Sequence, residues 1–287
     1  MTDGDSPKVA GKAGAATLVA SALSNQLGAA SGSLAFPVMG PVGVVAVRQL
    51  VAAAVLLPLV RPRLGALTRQ QWWPVLLLAV VFGTMNLSLY SAIQRVGLGL
   101  AVTLEFLGPL AVALLSSRNR SGAVCAVLAG AGVVAITQPE PSTDYFGIAL
   151  GLIAACSWAA YILLNRTVGR RIPGVQGTAA ATGVSALLFL PVAAVIFVAR
   201  PPEPFAVICA VGAGVLASVV PYLADLVALR RVPANVFGVL MSINPVFAAL
   251  IGALALREDL GAPQWCGIGL IVMANAGALL FRGRGNG

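Results

Sequence analysis

The chain has 287 residues, of which 59% are hydrophobic and only 9% charged, and its mean hydropathy is +0.95. A soluble domain carries about 25% charged residues, so this composition excludes a water-clad surface and makes lipid the solvent of most of the exterior. The net charge is +9, but the basic residues sit singly or in pairs between apolar runs. That scatter argues against a nucleic-acid partner, which would need a basic face, and for charges that set membrane topology.

About 20 mostly apolar residues are needed to cross the hydrocarbon core as a helix. Ten such stretches follow one another, at 15–38, 42–60, 73–93, 97–116, 121–137, 146–165, 176–199, 205–227, 234–256 and 263–281. The first follows Lys8 and Lys12 and resembles a secretory signal at a glance. Ser24, Asn25 and Gln26 break its apolar run and nine more stretches follow, so an uncleaved first span is expected. The runs are too long and too uniformly apolar for barrel strands, which alternate over about 10 residues. The connectors are short, charged and rich in proline, and none could fold as a separate domain. The expected architecture is an all-α polytopic membrane protein.

With the N-terminus in the cytoplasm, the inner segments hold 14 of the 18 Lys and Arg residues: Lys8, Lys12, Arg61, Arg63, Arg69, Arg118, Arg120, Arg166, Arg170, Arg171, Arg230, Arg231, Arg282 and Arg284. Arg95, Arg200 and Arg257 fall outside, as do Glu140, Asp144, Glu203, Glu258 and Asp259, while Arg48 lies within a span. The bias predicts that both termini are cytoplasmic.

Shifted by 136 positions, 92–115 falls on 228–251 without a gap. Ala92, Arg95, Val96, Leu104, Pro109, Ala113 and Leu114 meet Ala228, Arg231, Val232, Leu240, Pro245, Ala249 and Leu250. The repeat unit is five spans, and an odd number inverts the second copy. The expected organisation is therefore a tail over 1–14, a first five-helix repeat over 15–137, a second over 146–281 and a tail over 282–287. Inverted repeats of this kind are the mark of secondary transporters, with the substrate site near the midplane. Gly28-x-x-x-Gly32 and Gly147-x-x-x-Gly151 have the spacing that lets helix backbones approach closely, either as fixed packing or as surfaces that slide.

Three ionisable residues lie at span depth. Burying a charge in hydrocarbon is costly, so such residues usually face a partner or a polar cavity. Glu105 sits about 12 Å into the fourth span and is the leading candidate for substrate or proton binding. Its alternatives are a protonated carboxyl or a structural pair with Arg48. Arg48, in the second span, either snorkels to the outer face, pairs with Glu105, or holds a substrate carboxylate. Asp225 stands two or three residues from the inner end of its apolar run and is expected to snorkel or to pair with Arg230 or Arg231. Pro109 and Pro245 are equivalent by the repeat. Each kinks its helix and frees the carbonyl four residues earlier, those of Glu105 and Met241. Asn86, Tyr90, Trp158, Tyr161 and Asn244 are candidate pocket-lining residues, with Asn25, Gln26 and Tyr222 as further polar groups at depth.

Other chemistries find little support. There is no histidine. Cys125, Cys156, Cys209 and Cys266 lie in apolar runs without CxxC spacing and read as small hydrophobes. No metal cluster, nucleophile–base pair or output domain argues for an enzyme or a sensor, and no cofactor is expected. Gly212-x-Gly214-x-x-Ala217 resembles a dinucleotide fingerprint but has no strand before it.

The stretch NLSLYSAIQRVGLGLAVTLEFLGPLAVALLSSR at 86–118 resembles the drug/metabolite transporter superfamily, and within it the EamA-type threonine/homoserine exporter subgroup. CSWAAYIL at 156–163 and PYLADLVALRRVPANVFGVLMSINP at 221–245 carry the same resemblance. It implies two EamA-like repeats in the inner (plasma) membrane and export of amino acids or similar small metabolites; the repeat and the intramembrane ionisable residues make protons the candidate coupling ion. Another solute on the same fold, such as a nucleoside, a polyamine or a hydrophobic cation, is the alternative cargo. The chain departs from the subgroup in having Asn244 and Asp225 where Glu is frequent.

Overall fold

The computed structural model describes residues 7–116, 120–138, 141–199, 201–256 and 261–281. Arg118, Glu140, Arg200, Arg257, Glu258, Asp259, Arg282 and Arg284, and the side chains of Lys8, Lys12, Arg230 and Arg231, lie outside that description. Among the described residues every regular element is helical: α1 Pro7–Ser33, α2 Phe36–Val60, α3 Arg69–Ser116, α4 Arg120–Thr137, α5 Tyr145–Arg171, α6 Gln176–Ala199, α7 Pro204–Gly214, α8 Val220–Arg231, α9 Ala234–Leu240, α10 Ile243–Leu256 and α11 Ala262–Phe281. A π-helical turn, Val215–Val219, joins α7 to α8. Among the described residues, six helical stretches are long and apolar enough to cross a membrane. Leu59, Leu115, Leu187, Val195, Val198 and Ile208 point outward, as lipid-facing side chains do.

The 48 residues of α3 would make a straight rod of about 72 Å, far longer than a hydrocarbon core of about 30 Å. The contacts with α5 show that the chain doubles back. Gln71 donates to the Arg171 carbonyl at 2.9 Å, and the Thr84 and Ser157 hydroxyls lie 3.5 Å apart, an antiparallel run. Farther on, Val96, Leu104 and Gly108 meet Gly147, Gly151 and Ala155, a parallel run. The two apolar stretches of α3, Arg69–Ile93 and Leu100–Ser116, therefore run in opposite directions on either side of α5.

Small residues set the closest approaches. A Cβ on Gly28 would sit 2.6 Å from the Ala217 backbone nitrogen, and one on Gly32 3.1 Å from the Ala213 Cβ, so α1 packs directly on α7 and the π turn. Gly132 and Gly267 bring α4 and α11 together in the same way. Both GxxxG pairs of the sequence thus lie at helix–helix contacts.

Several boundaries differ from expectation. The first span ends at Ser33, and Phe36 already begins α2. Residues 36–39 form a helical turn ahead of a break at Gly40, at φ +64° before Pro41, and the long stretch beyond it begins close to the expected 42: proline disfavours α geometry in the residue before it, and glycine takes a positive φ without a Cβ penalty. The stretch 234–256 is broken at Met241–Ser242, between α9 and α10. Pro245 has no N–H for the Met241 carbonyl. That carbonyl is not left free, however, because the Asn244 side-chain amide donates to it at 2.9 Å. Pro109, the repeat equivalent, lies inside α3 with the helix unbroken.

Candidate functional site

Arg48 is buried, at 4% exposure, and does not snorkel. It lies on α2 facing α3 and the π turn. Nε donates to the Ser218 hydroxyl at 3.2 Å, Nη2 to the Ala217 carbonyl at 2.6 Å, and Nη1 to the Tyr90 hydroxyl. Backbone carbonyls of a π turn lack ordinary i→i+4 partners in places, which is why a guanidinium can find an acceptor there. Tyr90 also lies beside the cation, with its ring centroid 5.7 Å from the guanidinium carbon, and packs edge-on against Phe36.

Gln49, next along α2, donates to the Phe82 carbonyl at 3.0 Å and lies 3.5 Å from the Tyr222 hydroxyl, while its own Oε1 is buried without a partner. Asn86 donates to the same Phe82 carbonyl at 2.9 Å. The Phe82 and Tyr222 rings stack at 4.0 Å, with Tyr161 against both. This aromatic wall separates the Arg48 group from a second polar group.

The second group centres on Asp225 of α8. Tyr161 of α5 donates to Oδ2 at 2.8 Å and Ser21 of α1 donates to Oδ1 at 3.0 Å. Asp225 is buried and neither snorkels nor ion-pairs among the described residues. The sequence placed it too near the membrane face because the apolar run fades at 227, whereas α8 continues to Arg231.

Glu105 is buried on the second stretch of α3. It makes no hydrogen bond or ion pair with the described residues, so the expected contact pair with Arg48 is not formed, although Arg48 is the cation whose field reaches it. One turn on, Gly108 lies so close to the Ala155 carbonyl that a Cβ would collide with it. Phe106, the next residue, meets the Trp158 ring edge-on at 6.4 Å. Asn244 accepts from Gln26 at 3.3 Å across the α9–α10 break.

The sequence-derived candidates therefore fall into separate groups: Arg48, Tyr90 and Asn86; Tyr161 and Asp225; Asn244 with Gln26; and Glu105, whose neighbour Phe106 meets Trp158. Gln49, Ser21, Ser218 and Phe82 were not among them. Gln49 beside Arg48 in an apolar span was a readable signal, whereas two serines in helices carry none. A groove of about 350 Å³ lined by Val81, Leu152, Ile153, Cys156, Ser157 and Ala160 opens elsewhere on α3 and α5 and holds no charge.

Residues 145–280 match the profile of the EamA-like transporter family. Across 266 residues the chain is 35% identical to the threonine/homoserine exporter RhtA of Escherichia coli (strain K12), covering 92% of this chain and 90% of that one. It is 34% identical over 258 residues to RhtA of Salmonella typhimurium (strain LT2), covering 89% and 87%. A crystal structure 18% identical in sequence superposes with a TM-score of 0.79, over 96% of this chain and 99% of its own. At that identity the likeness speaks to the fold alone.

Proposed function

We propose that this chain, which belongs to the EamA-like transporter family and is a multi-pass membrane protein, exports threonine, homoserine or amino acids like them. The relatives' names supply the cargo class. The observation that carries the reading in this chain is a pair of opposite buried charges held apart. Arg48 uses three of its five N–H groups on Tyr90, Ser218 and Ala217. One hydrogen remains on each terminal nitrogen, the fork that fits a carboxylate. Glu105 has no partner among the described residues and suits an ammonium group. A zwitterion in hydrocarbon needs both countercharges, and a closed Arg48–Glu105 ion pair would offer neither.

The architecture we propose is ten spans in two inverted five-helix repeats, 15–137 and 146–281, with both termini cytoplasmic. Several features support it: the reversal within α3, the continuity of α7, the π turn and α8 as one crossing, the 136-residue sequence offset and the distribution of Arg and Lys. The halves would rock about the Arg48–Glu105 region, exposing it to each side in turn.

The test is efflux of radiolabelled threonine and homoserine from vesicles containing the purified protein. Wild type is expected to release both, and Glu105→Gln to slow release by about tenfold, the loss of ~1.4 kcal/mol of cargo stabilisation. A folded Glu105→Gln protein with wild-type efflux would remove Glu105 from the mechanism. Release of nucleosides, polyamines or hydrophobic cations in preference to amino acids would replace the cargo.

A further inference from the structure

Asp225 has no role in the cargo site just described. It is a buried carboxylate with a donor on each oxygen, Tyr161 on Oδ2 and Ser21 on Oδ1, and no cation in contact among the described residues. The groups facing it are few. α1 presents Ser21, α5 presents Tyr161, and α8 itself places Tyr222 one turn earlier, its ring stacked on Phe82. α6, α9 and α10 carry no charged residue. Arg48 is engaged by Tyr90, Ser218 and Ala217, and the side chains of Lys8, Lys12, Arg230 and Arg231 are outside the described structure.

A second observation lies one turn along α5. Asn165 is fully buried, its amide makes no hydrogen bond of good geometry among the described residues, and it lies within reach of the Tyr161 phenol. Buried polar atoms are nearly always satisfied, so a buried amide with spare hydrogen-bonding capacity beside a phenol is a ready alternative partner for it. Asn165 shares the helix face of Tyr161, four residues before it, and so lies beside the phenol that holds Asp225.

We infer that Asp225, Tyr161, Ser21 and Asn165 form the proton-binding site that couples cargo export to a pH gradient. The inference rests on the transporter reading above and assigns the proton to Asp225 rather than to Glu105. In the ionised state both hydroxyls donate to the carboxylate. A proton arriving from water bonds to one carboxylate oxygen, and the resulting O–H must donate. One hydroxyl then reverses to accept, and its own hydrogen needs a new acceptor, which the neighbouring Asn165 carbonyl can supply for Tyr161. The change loosens or re-forms the tie among α1, α5 and α8, the helices that would move in alternating access. A proton suits this site better than a metal ion. A metal would need several anionic or imidazole ligands, and among the described residues no second carboxylate, cysteine or histidine clusters with Asp225.

The experiment is infrared difference spectroscopy of the purified protein in lipid between high and low pH, paired with flux. Wild type is expected to gain a protonated-carboxyl C=O band as the pH falls. Asp225→Asn should lack that band, Glu105→Gln should keep it, and Tyr161→Phe, which leaves the carboxyl in place, should shift it. In vesicles, a one-unit gradient supports about a tenfold accumulation ratio at one proton per cargo, and Asp225→Asn should bring that ratio toward one. An unchanged band in Asp225→Asn, a band lost only in Glu105→Gln, wild-type accumulation by Asp225→Asn, or accumulation driven by sodium without a pH gradient would each overturn the assignment. If wild type moves no amino acid, the cargo reading fails, and the infrared band alone then decides whether Asp225 binds a proton.

Discussion

The two buried charges on either side of the aromatic wall are held in different ways. Arg48 is gripped by three acceptors, one of them a backbone carbonyl, and each of its three nitrogens is used. Asp225 is held by two hydroxyls, each of which can turn from donor to acceptor. Both partners on the π turn and Asp225 belong to the same crossing, Ala217 and Ser218 about 11 Å before the carboxylate along the helix axis. One crossing therefore carries two of the acceptors that fix the Arg48 cation and, farther on, an anion held by hydroxyls that can turn. Neither charge is cancelled by an opposite charge within ion-pair distance among the described residues. The difference suggests a division of labour in which the fixed fork recognises and the turnable hydroxyls switch.

The strongest way to break that contrast is to remove the fork. Arg48→Met should cut threonine efflux by about a hundredfold, since losing charge-assisted hydrogen bonds costs ~3 kcal/mol. Arg48→Lys keeps the charge but not the planar geometry and should recover only part of the rate, read in the same vesicle assay. If lysine restores full efflux, Arg48 acts as a point charge and the rigid-anchor view fails.

Next in size is the packing beneath the anchor. Gly28→Leu would force a side chain into the Ala217 backbone, where even a Cβ lies 2.6 Å away. Overpacking costs about 1–3 kcal/mol. The expected result is a lower melting temperature in detergent together with weaker cargo protection against melting, because the carbonyl that holds Arg48 is the one displaced. Gly269, with open space around its Cβ position, is the control: Gly269→Ala should leave both readings near wild type.

Tyr90→Phe sharpens the comparison more gently. It removes one of three hydrogen bonds and keeps the ring against Phe36. A loss of about 1.5 kcal/mol, close to tenfold in cargo affinity, should appear in the efflux KM while thermal stability changes little.

Much of the fold was legible in the sequence because a single strong force, exclusion of charge from hydrocarbon, writes it there. The ends of α6 match the apolar run from 176 to 199 without adjustment. Sequence could not show that a helical turn at 36–39 would precede the Gly40 break, or that Asn244 would cap Met241, since both depend on backbone geometry. The site was half legible. Arg48, Glu105 and Asp225 stand out as charges in apolar text, but their partners do not. Ser21 and Ser218 look like any small residue of a membrane helix, and the Ala217 carbonyl is invisible at the level of side chains. The Arg48–Glu105 pair was proposed from charge alone and is not formed as a contact; the arginine finds its acceptors on the π turn, a local geometry that apolar periodicity does not announce.

The smallest expected effect comes from a charge pair outside the hydrocarbon, which shows by contrast what burial does. Asp144 caps α5 by accepting from the Gly147 backbone N–H at 2.9 Å and pairs with Arg95 at 2.9 Å. The hydrogen bond from Gly147, with the Arg95 guanidinium adding to it, holds the Asp144 carboxyl below the usual aspartate range. A depressed folded-state value means that the carboxylate stabilises the protein above its unfolded value and that this contribution is lost as the pH falls through the folded one. Melting curves of wild type and Asp144→Ala should therefore differ at neutral pH and converge in acid. The neutral-pH gap should be small, because exposed ion pairs are screened by water and salt, and efflux should be unchanged at either pH. A gap that persists in acid would mean that Asp144 acts by packing rather than by charge, and the contrast between solvated and buried charges would no longer rest on this pair.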